Sequence, residues 1–149
     1  MQTLYFEEKG EAEKVLKLGE KEIADLLDNE VRVKVKASPI NPADLMFIEK
    51  QYRVEPNFPQ VAGFEGVGTI TGNGGDENFP VDSIVAFRHK NIWAESVNIP
   101  KDKIILLPKN ASVEKAAQLS LNPLTARALL EELDAKENEW IIFLQEIQQ

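Results

Sequence analysis

Gly63-Phe-Glu-Gly66-Val-Gly68 is the stretch of this sequence nearest in form to a chemical motif. Its spacing is that of a dinucleotide fingerprint written backwards, Gly-x-x-Gly-x-Gly. The forward fingerprint lies between a strand and a helix, where backbone N–H groups meet a pyrophosphate at the helix N-terminus. Here the residues fall within an apolar run that reads as a strand. The glycines are therefore expected to mark close backbone approach or a bulge. Composition narrows the remaining chemistry. There is no cysteine, which removes disulfides, thiolate metal sites and thiol nucleophiles. The single histidine, His89, sits between Arg88 and Lys90 in a basic patch. A catalytic zinc usually takes three protein ligands, mostly His, Cys or Glu, and this inventory is a poor match. No Gly-x-Ser-x-Gly elbow and no Gly-x-x-x-x-Gly-Lys-Ser/Thr phosphate loop occurs. No metal site is expected, and His89 is expected on the surface.

The charge is uneven along the 149 residues, which carry a net charge of −8. Residues 1–30 hold nine acids and four bases, and residues 131–149 hold six acids and one base. Residues 31–130 hold ten acids and twelve bases. Net acidity argues against nucleic acid as a partner. The slightly basic centre is either one solvated surface between two acidic ends or a surface that tolerates an anionic ligand. Residues 1–8 lack the basic and apolar parts of a signal peptide, and no apolar run approaches the roughly 20 residues of a bilayer span. A cytoplasmic protein with no membrane partner is expected.

The elements that would position any site begin with a strand over 2–6. A second strand over 11–18 is expected to follow as an edge hairpin, and 23–27 is ambiguous. Val31-Arg-Val-Lys-Val-Lys-Ala37 alternates apolar and basic residues with period two, the pattern of a strand buried on one face. Asn41-Pro42 then reads as a cap and first residue of a short helix over 43–48. Strands are expected over 63–71, 83–87, 93–99 and 104–107, with Gly72-Asn-Gly-Gly-Asp76 as a turn. Many short strands at close spacing suggest a barrel or sandwich. Ser112 is placed to cap a helix from 113 to about 121. Asn122-Pro123 would cap and start another, reaching about 133. The apolar run Trp140-Ile-Ile-Phe-Leu144 reads as a buried strand.

Taken together, Ile40-Asn-Pro-Ala-Asp-Leu45, Tyr52, Pro59-x-x-x-Gly63-x-Glu65-Gly66-Val-Gly68, Trp93-Ala-Glu95 and Leu121-Asn-Pro-Leu-Thr-Ala126 resemble the medium-chain dehydrogenase/reductase superfamily. The branch they resemble is that of the zinc-free quinone reductases and 2-enoyl thioester reductases, over nearly the whole chain. The resemblance implies a mainly β fold with some helix: a GroES-like, partly open β-barrel, two helices and the first strand of a Rossmann domain that is otherwise absent. On that template residues 1–121 are the GroES-like catalytic domain. Residues 122–149 are the linking helix and first strand of a truncated nucleotide-binding domain, with 140–144 as that strand. Zinc members carry a histidine where this chain has Phe64.

The same resemblance implies the roles of individual residues. Tyr52 matches the tyrosine assigned to catalysis in enoyl reductases; hydride addition to the β-carbon leaves an enolate that a phenol can stabilise and protonate. Asn122 matches an asparagine that touches NADPH, a role compatible with helix capping because side chain and backbone offer separate groups. Thr125 is a second cofactor candidate. Asn41 and Trp93 are candidates for the substrate side, and otherwise a cap and a core aromatic. Glu65 is expected to be structural, paired with a nearby base. Lys50-Gln51 stands where related enzymes often have glycine, so the loop before Tyr52 is expected to run differently.

The implied function is the catalytic and substrate part of an NADPH-dependent enoyl-thioester or quinone oxidoreductase. The chain by itself is expected to bind no NADPH and to be inactive, since hydride transfer requires a nicotinamide held against the substrate. The alternative is a binding module that pairs with a partner chain, a separately encoded Rossmann half or a second copy through the 140–144 strand.

Overall fold

The computed structural model describes residues 1–134 and 136–142. Its strands and helices are β1 (Gln2–Phe6), α1 (Ala12–Val15), β2 (Lys17–Glu20), β3 (Glu30–Ala37), α2 (Pro42–Ile48), β4 (Gln60–Val61), β5 (Glu65–Gly72), β6 (Ile84–Arg88), β7 (Ser96–Pro100), β8 (Ile104–Leu106), α3 (Val113–Ala116) and α4 (Asn122–Glu132). Five strands form a curled half-barrel sheet in the order β7-β3-β5-β6-β8, and β2-β1-β4 form a second sheet. All pairings are antiparallel. The segment Trp93–Glu95 stitches the sheets together. Leu4 N–H donates to the Trp93 carbonyl (2.8 Å), Glu95 N–H to the Gln2 carbonyl (3.1 Å) and Val35 N–H to the Glu95 carbonyl (3.0 Å).

Period-two alternation explains β3: Val31 and Val33 are fully buried while Lys34 and Lys36 face solvent. These valines join Ile70, Val85, Phe87, Ile92, Val97 and Ile99 in the main core. A second core of Phe6, Val15, Phe47, Ile48 and Ala62 lies under α2, with Tyr52, Phe64 and Trp93 at its margin. The glycines of β5 do serve close approach. A Cβ on Gly68 would overlap the Lys34 carbonyl oxygen, and β3 is bulged between Val35 and Ala37 opposite that stretch.

Four expectations are corrected. Residues 11–18 do not form one strand: Ala12–Val15 make a helical turn, seated by Lys14 and Val15 N–H groups on the Glu11 carbonyl, before β2 begins at Lys17. Glu, Ala and Lys favour this local helix, and the turn buries Val15 in the second core. The helix after Ser112 is capped as expected, Lys115 N–H donating to Ser112 Oγ, but it ends at Ala116. Its Ala116 and Ala117 pack on Val67, and Ser120 is then drawn inward to a buried partner. Asn122 is the first residue of α4 rather than its cap, which is Leu121. Residues 140–142 form no strand, and Trp140 (96% exposed) and Ile142 (79%) are not buried. Among the described residues no strand pairs with them. The rest of the expected strand, 143–144, lies outside the described residues.

Candidate functional site

The start of β5 carries the acidic residue at the centre of the site. Glu65 is 1% exposed, and both carboxyl oxygens are used: Oε1 accepts from Asn41 Nδ2 (2.9 Å) and Oε2 from Ser120 Oγ (2.7 Å). Its carbonyl accepts from Ser38 Oγ (2.6 Å), which in turn accepts from Trp93 Nε1 (3.1 Å). Asn41 Oδ1 receives Asn122 Nδ2 (3.3 Å). Glu65 thus ties together the entry to α2 and the turn between α3 and α4 through its buried carboxyl group and, through its backbone carbonyl and Ser38, the indole of Trp93. Gly63 makes room for that indole. Its φ is +88°, which L side chains rarely adopt, and a Cβ there would overlap the Trp93 ring.

Beside this chain lies Asp44, 1% exposed, whose Oδ2 accepts from Asn41 N–H (2.7 Å). Its Oδ1 is the one buried side-chain polar atom without a hydrogen-bond partner among the described residues. Burial pushes the Asp44 carboxyl up from its ordinary pKa. The N–H groups of Asn41 and Phe64 pull the other way, although Phe64 falls short of a formed hydrogen bond, and the adjacent Glu65 adds to the rise.

Tyr52 stands at a separate opening. It is half-buried, its ring 5.6 Å from that of Phe64, which in turn packs 4.9 Å from Phe47. Its N–H and that of Gln51 both donate to the Met46 carbonyl, so the loop is anchored on the end of α2. The turn into that loop is made by Lys50 at φ +60°, the left-handed geometry that glycine adopts freely. A cavity of about 560 Å³ opens here, lined by Tyr52, Val54, Phe64 and the basic group Arg53, Arg88, His89, Lys90 and Lys103. The Tyr52 hydroxyl forms no hydrogen bond to the described residues, so it is free to meet a ligand.

The expected site residues are therefore divided. Asn41 and Asn122 touch, and Trp93 joins them through Ser38 and the Glu65 backbone. Tyr52 faces the cavity with Phe64. Thr125 joins neither group, because its hydroxyl donates to the Leu121 carbonyl (3.0 Å) within its own helix. Glu65 is structural, but the expected basic partner is replaced by two neutral donors. Sequence reasoning did not identify Ser38, Ser120 or Asp44 as members. A lone acid in a glycine-rich apolar strand was the available signal for Glu65; nothing local marks Ser120. Phe64, where zinc relatives carry histidine, is an aromatic wall between Phe47 and Tyr52. No group of three His, Cys, Asp or Glu able to hold a metal is assembled among the described residues.

Residues 27–109 match the family model for the alcohol dehydrogenase GroES-like domain. The mitochondrial enoyl-[acyl-carrier-protein] reductase of Xenopus tropicalis is 35% identical over 139 residues, covering 88% of this chain and 38% of that protein. Among solved structures, the Escherichia coli quinone oxidoreductase complexed with NADPH superposes with a TM-score of 0.80 at 29% identity, covering 89% of this chain and 41% of its own. The Etr1p complex with NADP and crotonyl-CoA does so with a TM-score of 0.73 at 27% identity, covering 87% and 42%. The chain thus spans about two fifths of the length of these relatives.

Proposed function

Because this chain belongs to the alcohol dehydrogenase GroES-like domain family, within the medium-chain dehydrogenase/reductase superfamily, we propose that it is the catalytic and substrate-binding part of a zinc-free, NADPH-dependent reductase of enoyl thioesters or quinones. The observation that carries this reading is Tyr52, half-buried over Phe64, with a hydroxyl that no described residue engages, in the wall of a cavity of about 560 Å³. NADPH, when bound, supplies the hydride. The chain's own residues do the rest. The phenol of Tyr52 donates a hydrogen bond to the oxygen of the developing enolate and passes a proton to the reduced product. Phe64 and Val54 give the acyl chain or quinone ring an apolar wall.

Zinc independence is supported by the ligand set. The sequence has no cysteine and one histidine, and the family's zinc-histidine position is a packed phenylalanine. Toward the cofactor the fit is partial. The exposed Asn122 amide, anchored by Asn41, can touch it, while Thr125 is committed to its helix. Gly75 is the last glycine within residues 1–149, so the residues that α4 leads into here include no glycine turn for a pyrophosphate. Turnover accordingly needs a nucleotide-binding half supplied in addition to residues 1–149.

The test is reconstitution. This chain and the separately produced nucleotide-binding half of an enoyl reductase are mixed, and NADPH oxidation is followed with crotonyl thioester and with benzoquinone. Turnover is expected only from the mixture, and Tyr52→Phe should lower it by about two orders of magnitude. Turnover by the lone chain, or a mixture indifferent to Tyr52→Phe, overturns the assignment.

One observation favours the alternative, a non-catalytic module that pairs with another chain. No residue of α4 is buried, and Leu124, Leu129, Leu130 and Leu133 lie on it or at its end with about half their surface exposed. If that face serves pairing alone, the mixed halves associate without turnover.

A further inference from the structure

We propose that Gln60 is a positioning residue for the Tyr52 cavity: its buried side-chain amide ties the two facing walls of that cavity to one point on β4 and so sets the distance between them. Gln60 does not itself line the cavity. The proposal rests on the reductase reading for what the cavity is used for, and it adds the residue that holds Tyr52's wall in place.

The wall that carries Tyr52 is anchored at its two ends. Tyr52 N–H donates to the Met46 carbonyl (3.1 Å), after which residues 53–56 form no backbone hydrogen bond among the described residues. The next tie is Asn57 N–H, which donates to Gln60 Oε1 (3.1 Å). Between these points Val54 packs at the margin of the second core and Pro56 is buried. Such apolar contact is non-directional, so it holds the stretch down without fixing its register. The Lys50–Glu55 pair is exposed and adds little. Gln60 therefore supplies the far anchor of the segment from which Tyr52, Arg53 and Val54 face the cavity.

The opposite wall, Arg88 to Lys90, runs into Asn91 at φ +68°. Asparagine is tolerated in this left-handed region when its short side chain finds a hydrogen bond. Here the bond comes from outside the turn: Gln60 Nε2 donates to Asn91 Oδ1 (2.5 Å) across 31 residues. The same nitrogen donates to the Val61 carbonyl (2.9 Å).

Gln60 is well placed for both tasks. It is 7% exposed, and β4 holds its backbone opposite Phe6 of β1. A carboxamide offers an acceptor at one atom and two donors at the other, which is what an N–H on one side and two oxygens on the other require. Buried polar groups keep such partners, because water is not at hand to replace them. A catalytic phenol works only within a small tolerance of its productive position, and residues behind the site supply that tolerance.

The test follows backbone order by ¹⁵N relaxation in the chain itself. In the wild type, residues 53–57 and 88–90 should have order parameters near those of rigid backbone, about 0.85. Gln60→Met keeps the side chain's length and removes all three bonds; both segments should fall toward about 0.6 together, although they are distant in sequence. Asn91→Gly, at an exposed position whose left-handed turn glycine accepts, should loosen 88–90 and leave 53–57 ordered. Asn91→Asp retains an oxygen acceptor and should loosen neither. Should Gln60→Met lose the fold, the two Asn91 variants decide. Order parameters unchanged in Gln60→Met and Asn91→Gly overturn the proposal, as does loosening in Asn91→Asp equal to that in Asn91→Gly. In the reconstituted mixture, kcat with crotonyl thioester should fall about tenfold in Gln60→Met and be kept in Asn91→Asp. Wild-type turnover that Gln60→Met leaves unchanged removes the positioning role and retains the enzyme. Loosened walls in a mixture whose wild type never turns over retain the Gln60 tie and remove the reductase reading.

Discussion

Replacing Glu65 by alanine should cost the fold about 3–5 kcal/mol, the range found when one partner of a buried polar set is removed. The figure follows from three consequences of one truncation. Asn41 Nδ2, in a residue only 6% exposed, loses its acceptor, and Ser120 Oγ, in a residue 7% exposed, loses its 2.7 Å bond and keeps only the longer one to the Phe87 carbonyl (3.4 Å). The donor left buried without a partner costs about 1–3 kcal/mol, and the weakened bonding of Ser120 about 1 kcal/mol. Loss of the buried Cγ methylene adds roughly 1 kcal/mol. Against these, the desolvation of a buried carboxyl group is relieved, which keeps the total from rising above that range. Glu65→Gln is the control. It keeps the shape and one acceptor, and the Ser120 hydroxyl can rotate to accept from the new amide, so its cost should stay near 1 kcal/mol. Urea unfolding with a shared m-value measures both variants. A second readout is the side-chain amide resonances of Asn41 and Asn122, which should move together in Glu65→Ala because the two side chains touch. If Glu65→Ala costs less than about 1 kcal/mol, or if glutamine is as damaging as alanine, the carboxyl group does not organise this region and the reasoning fails.

Two further predictions concern the neighbouring loops. Asp44 binds its proton more tightly when folded than when unfolded, because burial raises its pKa. The folded state therefore holds more protons than the unfolded one above the unfolded value of about 4, and stability falls as pH rises from there through the folded pKa. Asp44→Asn removes that dependence, so the difference in Tm, variant minus wild type, should increase from pH 3 to pH 7; a difference that is flat or decreases contradicts the account. Lys50→Gly relieves the left-handed backbone at φ +60° and loses only the exposed Lys50–Glu55 pair (3.0 Å). The expected result is a gain of about 0.5–1 kcal/mol in urea unfolding, and a loss greater than about 1 kcal/mol would mean the loop before Tyr52 is held in some other way.

What the sequence by itself determined about this protein are the features whose cause is local. Alternation in Val31–Ala37 sets which face of β3 is buried, since side chains on a strand have period two. Asn41-Pro42 starts α2, and Gly72–Asp76 turns the chain, because proline and glycine restrict or free φ wherever they stand. The family motif as a whole was also legible, and with it the half-barrel. Local pattern was a poorer guide where two readings competed. Residues 11–18 read as the second strand of an edge hairpin, yet Glu11 to Val15 close a helical turn that delivers Val15 to the second core.

Only the tertiary structure decided who meets whom. Asn122 finds Asn41 across 81 residues, and Ser120 finds Glu65 across 55. Neither pairing leaves a trace in periodicity or spacing. Burial of Asn41, Glu65 and Ser120 is the common cause: a polar atom removed from water must find a partner wherever the folded chain places one, and Asn41 takes the exposed Asn122. The basic rim is of the same kind. Arg53, Arg88, Lys90 and Lys103 are scattered over 51 positions and look like ordinary solvated charges in sequence; the strand order brings them to one opening beside Tyr52. The sheet that was readable from alternation is therefore what makes the site, because antiparallel neighbours bring loops that are distant in sequence to the same end of the barrel.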